Sequence, residues 1–142
     1  MQLVADANVL LSAAIGGRAR LVLEHPRVEA VHAPAFALDE VHEYLAALAK
    51  KKRLAIDTLM LTLAALPITV VDRDEYRSHL SEARRRMRRR DPDDADILAL
   101  ALHLKLPVWS NDNDFEDAGV EWHTTAELLT TLGVTSGTKR QS

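Results

Sequence analysis

The stretch RDPDDADILALALHLKLPVWSNDNDF, Arg90 to Phe115, sets two clusters of carboxylates on either side of an apolar segment. Ile97, Leu98, Leu100, Ala101, Leu102 and Leu104 make a helix that is apolar nearly all round, which implies burial on more than one side. The start of that helix is polar. Asp91, Asp93 and Asp94 stand where acidic side chains cap free backbone N–H groups and meet the positive end of the helix dipole. Pro107 stops the helix, and Val108 to Ser110 reads as a short buried strand running into Asn111, Asp112, Asn113 and Asp114. In an open parallel sheet, groups just past the carboxyl ends of strands face the ligand crevice, so Asp112 is a candidate site residue.

Helical phase ranks the acids of the first cluster, because residues at i, i+3, i+4 and i+7 share a face. From Asp94 that face is Ile97, Leu98 and Ala101, an apolar stripe. Asp96 lies about 200° further round and looks toward Ala99, Leu100 and His103. The phase therefore selects Asp94 as the inward carboxylate among the acids of this cluster, ahead of Asp93 and Asp96. By itself this stretch fits a pair of helix caps equally well.

Working outward, 142 residues with 47% hydrophobic content fit one domain with a substantial core. Absence of cysteine removes disulfides and thiolate metal sites and points to a reducing cytoplasm. No hydrophobic run reaches the roughly 20 residues of a membrane span, and the first residues lack the layout of a signal peptide. Net charge is −3, but it is unevenly spread. Arg84, Arg85, Arg86, Arg88, Arg89 and Arg90 form one basic block, and Lys50, Lys51, Lys52 and Arg53 form another. A chain with acidic pockets and basic rims can bind a phosphate backbone while remaining net acidic.

Gln2 to Asp6 reads as a buried strand with Asp6 at its carboxyl end, and Asn8 as the cap of a helix from Val9 to Ala14 that Gly16 and Gly17 terminate. A short helix from Ala19 to Glu24 precedes a second strand, Val28 to His32. His25 and His32 have no histidine partner at ligand spacing and are read as ordinary surface or edge residues. Ala37 to Lys51 is a helix with the stripe Val41, Tyr44, Leu45 and Leu48, and Glu40 lies at the stripe's edge. A carboxylate there needs a partner, because burying it alone costs several kcal/mol. Ile56 to Leu66 completes a helical hairpin, Ile68 to Val71 is a third strand, and Asp74 to Met87 is a helix ending in the arginine block. Val120 to His123 is a short fifth strand, and Thr124 caps a helix from Ala126 to Leu132 that Gly133 stops. The domain spans residues 1–132, and the small polar residues of 133–142 are expected to be a disordered tail.

Strands alternating with helices imply right-handed crossovers, hence a three-layer α/β/α sandwich around a parallel sheet of four or five strands, with Leu3, Val4, Leu98, Ala101 and Val108 in its core. That arrangement brings Asp6, Glu40, Asp94 and Asp112 to one edge. Four carboxylates together raise each other's pKa unless a cation relieves them, so the cluster predicts a metal. Carboxylate-rich ligation without Cys or paired His suits Mg²⁺ or Mn²⁺ rather than zinc.

The order LVADANVLLSA, then Glu40 in LDEVHEYL, then RDPDDADILALAL, then VWSNDNDF resembles the PIN-domain ribonucleases, among them toxins of the VapC kind, from Gln2 to about Leu132. The resemblance implies that the acids of the site fall on Asp6, Glu40, Asp94 and Asp112, as catalytic residues and metal ligands. It implies supporting roles for Asn8 and Ser110, beside the surplus acids Asp96 and Asp114. It implies Mg²⁺- or Mn²⁺-dependent cleavage of single-stranded RNA, with phosphates along the arginine block, and as partners an antitoxin protein and a second copy in a homodimer. Two other readings compete: a PIN-like module that binds RNA or protein without cutting, and a phosphatase or phosphotransfer domain. The phosphatase pattern of D-x-D followed by Thr is missing at Asp6-Ala7-Asn8.

Overall fold

The computed structural model describes residues 1–134. In chain order the elements are β1 (Gln2–Ala5), α1 (Ala7–Ala14), α2 (Ala19–Leu23), β2 (Ala30–Pro34), α3 (Ala35–Lys52) and α4 (Ile56–Ala65). There follow β3 (Thr69–Val71), α5 (Arg73–Tyr76), a 3-10 turn (Arg77–His79), α6 (Leu80–Met87), α7 (Asp94–Leu104), β4 (Val108–Trp109), β5 (Trp122–His123) and α8 (Thr125–Thr131). The five strands form one sheet in the order β3-β2-β1-β4-β5, every pairing parallel. Helices cover both faces, so the molecule is the expected α/β/α sandwich.

Alternation along the strands divides the core in two. Leu3, Ala5, Val31, Ala33 and Trp109 join one cluster with residues of α1 to α4 and α8, while Val4 and Val108 join the other with residues of α5 to α7. Leu3, Val4, Leu98, Ala101 and Val108 are each at most 1% exposed. Helix α7 packs on β1, β2 and β4 and also on α6. Its residues Ala95 to Ala101 are consequently buried without a break. Transfer of Leu98 and Leu100 from water contributes about 2 kcal/mol each, which fixes α7, and with it the acids at its start, against the sheet.

Several local expectations change. Helix α1 is capped by Asp6, not Asn8, and begins at Ala7. Asp6 adopts the extended cap geometry and its carboxylate accepts the Val9 N–H, leaving Asn8 exposed in the first turn. The helix expected from Asp74 to Met87 is broken into α5, the 3-10 turn and α6. Tyr76 leaves helical geometry (φ −110°, ψ 11°) as its buried ring turns toward Asp96. Helix α7 stops before Pro107, at Lys105, which takes the left-handed conformation at φ 58° and donates its N–H to Ala101. The second strand is shifted to Ala30–Pro34 and the fifth shortened to Trp122–His123. Thr124 caps α8 as expected, in a reciprocal pair with Glu127. Beyond α8, the Val134 N–H donates to Leu129 and its side chain packs on the first cluster. The rest of the expected tail, 135–142, lies outside the described residues. No helix among the described residues is long and apolar enough to cross a membrane.

Candidate metal centre

From β1 the chain moves to β2 and β3 on one side, and it returns to the other flank of β1 only with β4. The carboxyl ends of β1 and β4 therefore border the switch point, where such sheets open a crevice. Val4 pairs with Val108 and Ala5 with Trp109, so Asp6 and Ser110 leave the sheet side by side. The Asp6 N–H donates to the Trp109 carbonyl at 3.2 Å.

Asp6 is 3% exposed and Ser110 fully buried. The Asp6 carboxylate accepts the Val9 N–H at 2.9 Å and also the Ser110 hydroxyl. Ser110 Oγ in turn accepts the Asp112 N–H at 3.3 Å, and Asp112 Oδ1 accepts the Asp114 N–H at 3.0 Å. This chain of short-range bonds winds the loop after β4 so that two carboxylates stand beside Asp6. Asp94 arrives from the first turn of α7, where Asp91 accepts the Asp93 N–H at 3.0 Å and turns the chain. Asp94, Asp112 and Asp114 each present an oxygen within 4.8 Å of the other two. Glu40, from the second turn of α3, faces Asp93 and Asp91 and, beyond them, Asp6.

Electrostatics follow from this crowding. Burial, opposed by the Ser110 and Val9 bonds and aided by Asp112 and Asp114, raises Asp6 to about 6. Burial and the charges of Asp93 and Asp91 raise Glu40 to about 7. Asp94 is pushed up to about 9 by burial, by its hydrogen bond to Asp114 and by the Asp112 charge. Without a cation, Asp94 keeps its proton to well above the usual carboxylate range. No Lys, Arg or His forms an ion pair with Asp6, Glu40, Asp94, Asp112 or Asp114 among the described residues. Uncompensated carboxylate oxygens at this spacing fit a hard divalent cation such as Mg²⁺ or Mn²⁺.

Not every expected residue joins the cluster. Asp96, 4% exposed, turns away to a different partner: its two oxygens accept Arg73 Nε at 2.9 Å and Arg73 Nη2 at 3.0 Å, and the Tyr76 hydroxyl completes the set. Asn8 makes no side-chain hydrogen bond among the described residues. Asp114 lies within 4.8 Å of both Asp94 and Asp112, and its D-x-D spacing from Asp112 was the signal available in the sequence. Arg73 and Tyr76 carried no signal, because they meet Asp96 only through the fold.

The arginine block runs from α6 toward Asp91 and borders a cleft of about 460 Å³ lined by Arg85, Arg86, Arg88, Arg89 and Arg90 together with Asp114, Asp117 and Ala118. Asp114 thus belongs to both the acidic cluster and the basic cleft.

Comparison with known proteins agrees with this geometry. No curated protein matches the sequence. Among solved structures the fold is similar to VapBC2 from Rickettsia felis bound to a DNA fragment from their promoter, with a TM-score of 0.70 at 13% identity over 87% of this chain and 98% of that one. It is also similar to a toxin-antitoxin complex from Klebsiella pneumoniae (TM-score 0.63, 20% identity, 87% and 97% covered). A third likeness is to FitAcB from Neisseria gonorrhoeae (TM-score 0.59, 19% identity, 89% and 99% covered). A family model for the PIN domain matches residues 4–133, and the chain belongs to the PIN domain family.

Proposed function

We propose that the protein is a metal-dependent endoribonuclease acting on single-stranded RNA, with Asp6, Glu40, Asp94 and Asp112 as its catalytic and metal-holding acids and Asp114 beside them. The observation that carries this reading is the continuity of two features. Three carboxylates lie within 4.8 Å of one another at the sheet's switch point, and one of them, Asp114, also lines the arginine cleft. A phosphate backbone drawn along the arginines would be delivered to the acids.

Mg²⁺ or Mn²⁺ bound there would neutralise phosphate charge and lower the pKa of a water. The chain's own residues set the stage. Val9 N–H and the Ser110 hydroxyl hold the Asp6 carboxylate in one orientation. The proton that Asp94 holds in the metal-free protein would leave when a cation binds. If these guanidinium groups contact phosphates rather than base edges, affinity along the cleft would be tolerant of sequence. The similarity to toxin-antitoxin complexes supports a further reading, that the protein is the toxin of such a pair, with an antitoxin protein as partner.

The test is cleavage of a single-stranded RNA with Mg²⁺ or Mn²⁺ by the parent and by Asp6→Asn, Asp94→Asn and Asp112→Asn. Cleavage by the parent and its loss in each folded variant is the expected result. A parent that binds Mn²⁺ and RNA but never cuts would overturn the enzymatic part.

A further inference from the structure

The six arginines of Arg84 to Arg90 do not present six equivalent charges. Glu82 accepts both Arg85 and, at 2.7 Å, Arg86 Nε. Arg86 Nη1 also donates to the Ala118 carbonyl at 2.8 Å. Arg90 Nη2 donates to Asp117 Oδ2 at 3.1 Å. Arg86 and Arg90 keep side-chain exposures of 30% and 31%, against 66% for Arg85. Arg84, Arg88 and Arg89 are exposed and make no ion pair among the described residues, and of these Arg88 and Arg89 line the cleft.

The two tied arginines grip the same short segment at adjacent residues, Asp117 and Ala118, just after Asp114. That segment runs from Asp112 to Gly119, and its only internal bonds among the described residues are the Asp112 to Asp114 contact and two backbone turns, Glu116 to Asn113 and Ala118 to Phe115. Gly119 adopts φ +72°, and a Cβ there would meet Arg86 Nη1 at 3.2 Å. The backbone is therefore shaped to let the guanidinium come close.

We infer that the block divides by role: Arg88 and Arg89 bind RNA phosphate, whereas Arg86 and Arg90 are positioning residues that anchor the Asp112–Gly119 segment and so hold Asp114 against Asp94 and Asp112. This rests on the ribonuclease reading for the identity of the ligand. The tied pair spends its charge and its donors on the protein. The free pair keeps both for a polyanion.

The test uses the full chain with two paired variants, Arg88→Gln with Arg89→Gln and Arg86→Gln with Arg90→Gln. Two binding readouts serve: affinity for a fluorescent single-stranded RNA in chelator across a salt series, and Mn²⁺ affinity by calorimetry. For the free pair, the slope of log affinity against log salt should fall by about 1.4, roughly 0.7 for each lost phosphate contact on a single strand, with Mn²⁺ affinity unchanged. For the tied pair, the slope should hold while Mn²⁺ binds about tenfold more weakly, the lower end of what outer supports of a metal site cost. Asp117→Asn breaks the Arg90 tie from the other side and should reproduce part of the Mn²⁺ loss, and Arg90→Lys should recover part of it. Asp117→Asn keeps the test decisive if the tied pair fails to fold. Equal slope changes in both pairs, or unaltered Mn²⁺ affinity in the tied pair and in Asp117→Asn, would overturn the division while leaving the ribonuclease reading standing. A parent that binds neither Mn²⁺ nor RNA would overturn both.

Discussion

Asp94 and Asp96 sit two residues apart on one helix, and their surroundings could hardly differ more. Asp96 is the more deeply buried, yet both its oxygens are satisfied by Arg73 and Tyr76. Asp94 is less buried, faces two other carboxylates and pairs with no Lys, Arg or His among the described residues. The first arrangement is closed: charge, hydrogen bonds and packing balance inside the chain, with the Arg73 guanidinium also 5.4 Å from the centre of the Phe36 ring. The second is left open and can be balanced only from outside. Burial of an acid therefore says little about function, whereas burial without compensation points to a ligand.

The sharpest way to break this contrast is to remove each carboxylate's charge. Asp94→Asn should lower RNA cleavage by about 100-fold or more, in the range of losing a group that stabilises developing charge. The metal-free variant should at the same time melt at or above the parent's midpoint, because a repulsion has been removed. Turnover and thermal midpoint measured on the same preparation decide it, and full activity in Asp94→Asn would collapse the distinction.

Asp96→Asn should do the opposite. Cleavage per folded molecule stays near the parent's, while stability falls by about 2–3 kcal/mol, less than for a fully buried pair because Arg73 is 42% exposed and can turn to water. Urea denaturation read against the parent measures it. An Asp96→Asn protein of parental stability but no activity would mean that the two acids had been assigned the wrong way round.

Titration sharpens the contrast further. Asp6, Glu40 and Asp94 have folded-state values of about 6, 7 and 9, above their ordinary 3.8, 4.5 and 3.8. Between each ordinary value and its raised one, the folded protein binds more protons than the unfolded chain. Stability is thus greatest below about pH 4 on this account and is lost as pH climbs through the raised values. Thermal midpoints of the chelated protein should fall from pH 6 to pH 9, and saturating Mn²⁺ should remove most of that slope. A flat metal-free profile would argue that the acids are not mutually strained.

The smallest effect belongs to Asp93, which is exposed and raises Glu40 through its charge alone. Asp93→Asn should change cleavage by about threefold at most, the scale of a screened exposed pair at ~0.6 kcal/mol. It should lower the pH at which Glu40 titrates, a shift visible in carboxyl NMR spectra.

Much of this was legible in the residues. The apolar run Leu3, Val4 and Ala5, the apolar body of α7 and the acids just past two strands lead to the parallel sheet and to its crevice. Helical phase alone does not rank the acids of α7. Phase asks which side chain faces the core, but α7 is buried all round from Ala95 to Ala101, so a core face exists on both sides. What separates Asp94 from Asp96 is the identity of the neighbour, and Arg73 comes from α5, whose approach to α7 depends on the whole fold. The break at Tyr76 has the same origin. A propensity for continuous helix gave way to a hydroxyl that had to reach Asp96. Division of the arginines was likewise invisible, since six like charges in a row carry no mark of which ones Glu82, Ala118 and Asp117 will claim.

The central strand has a consequence for biogenesis. β1 gains its first neighbour, β2, early, but its second edge waits for β4, with Val4 meeting Val108 across most of the sequence. Closing so long a loop costs entropy before any contact repays it, and pairings of this kind form late and slowly. During synthesis on the ribosome, Asp6 and Glu40 emerge long before Asp112 and Asp114, and Ser110 is not yet there to orient Asp6. On the ribonuclease reading, a nascent chain would be harmless to the message being translated, and truncation before residue 115 should yield an inert product.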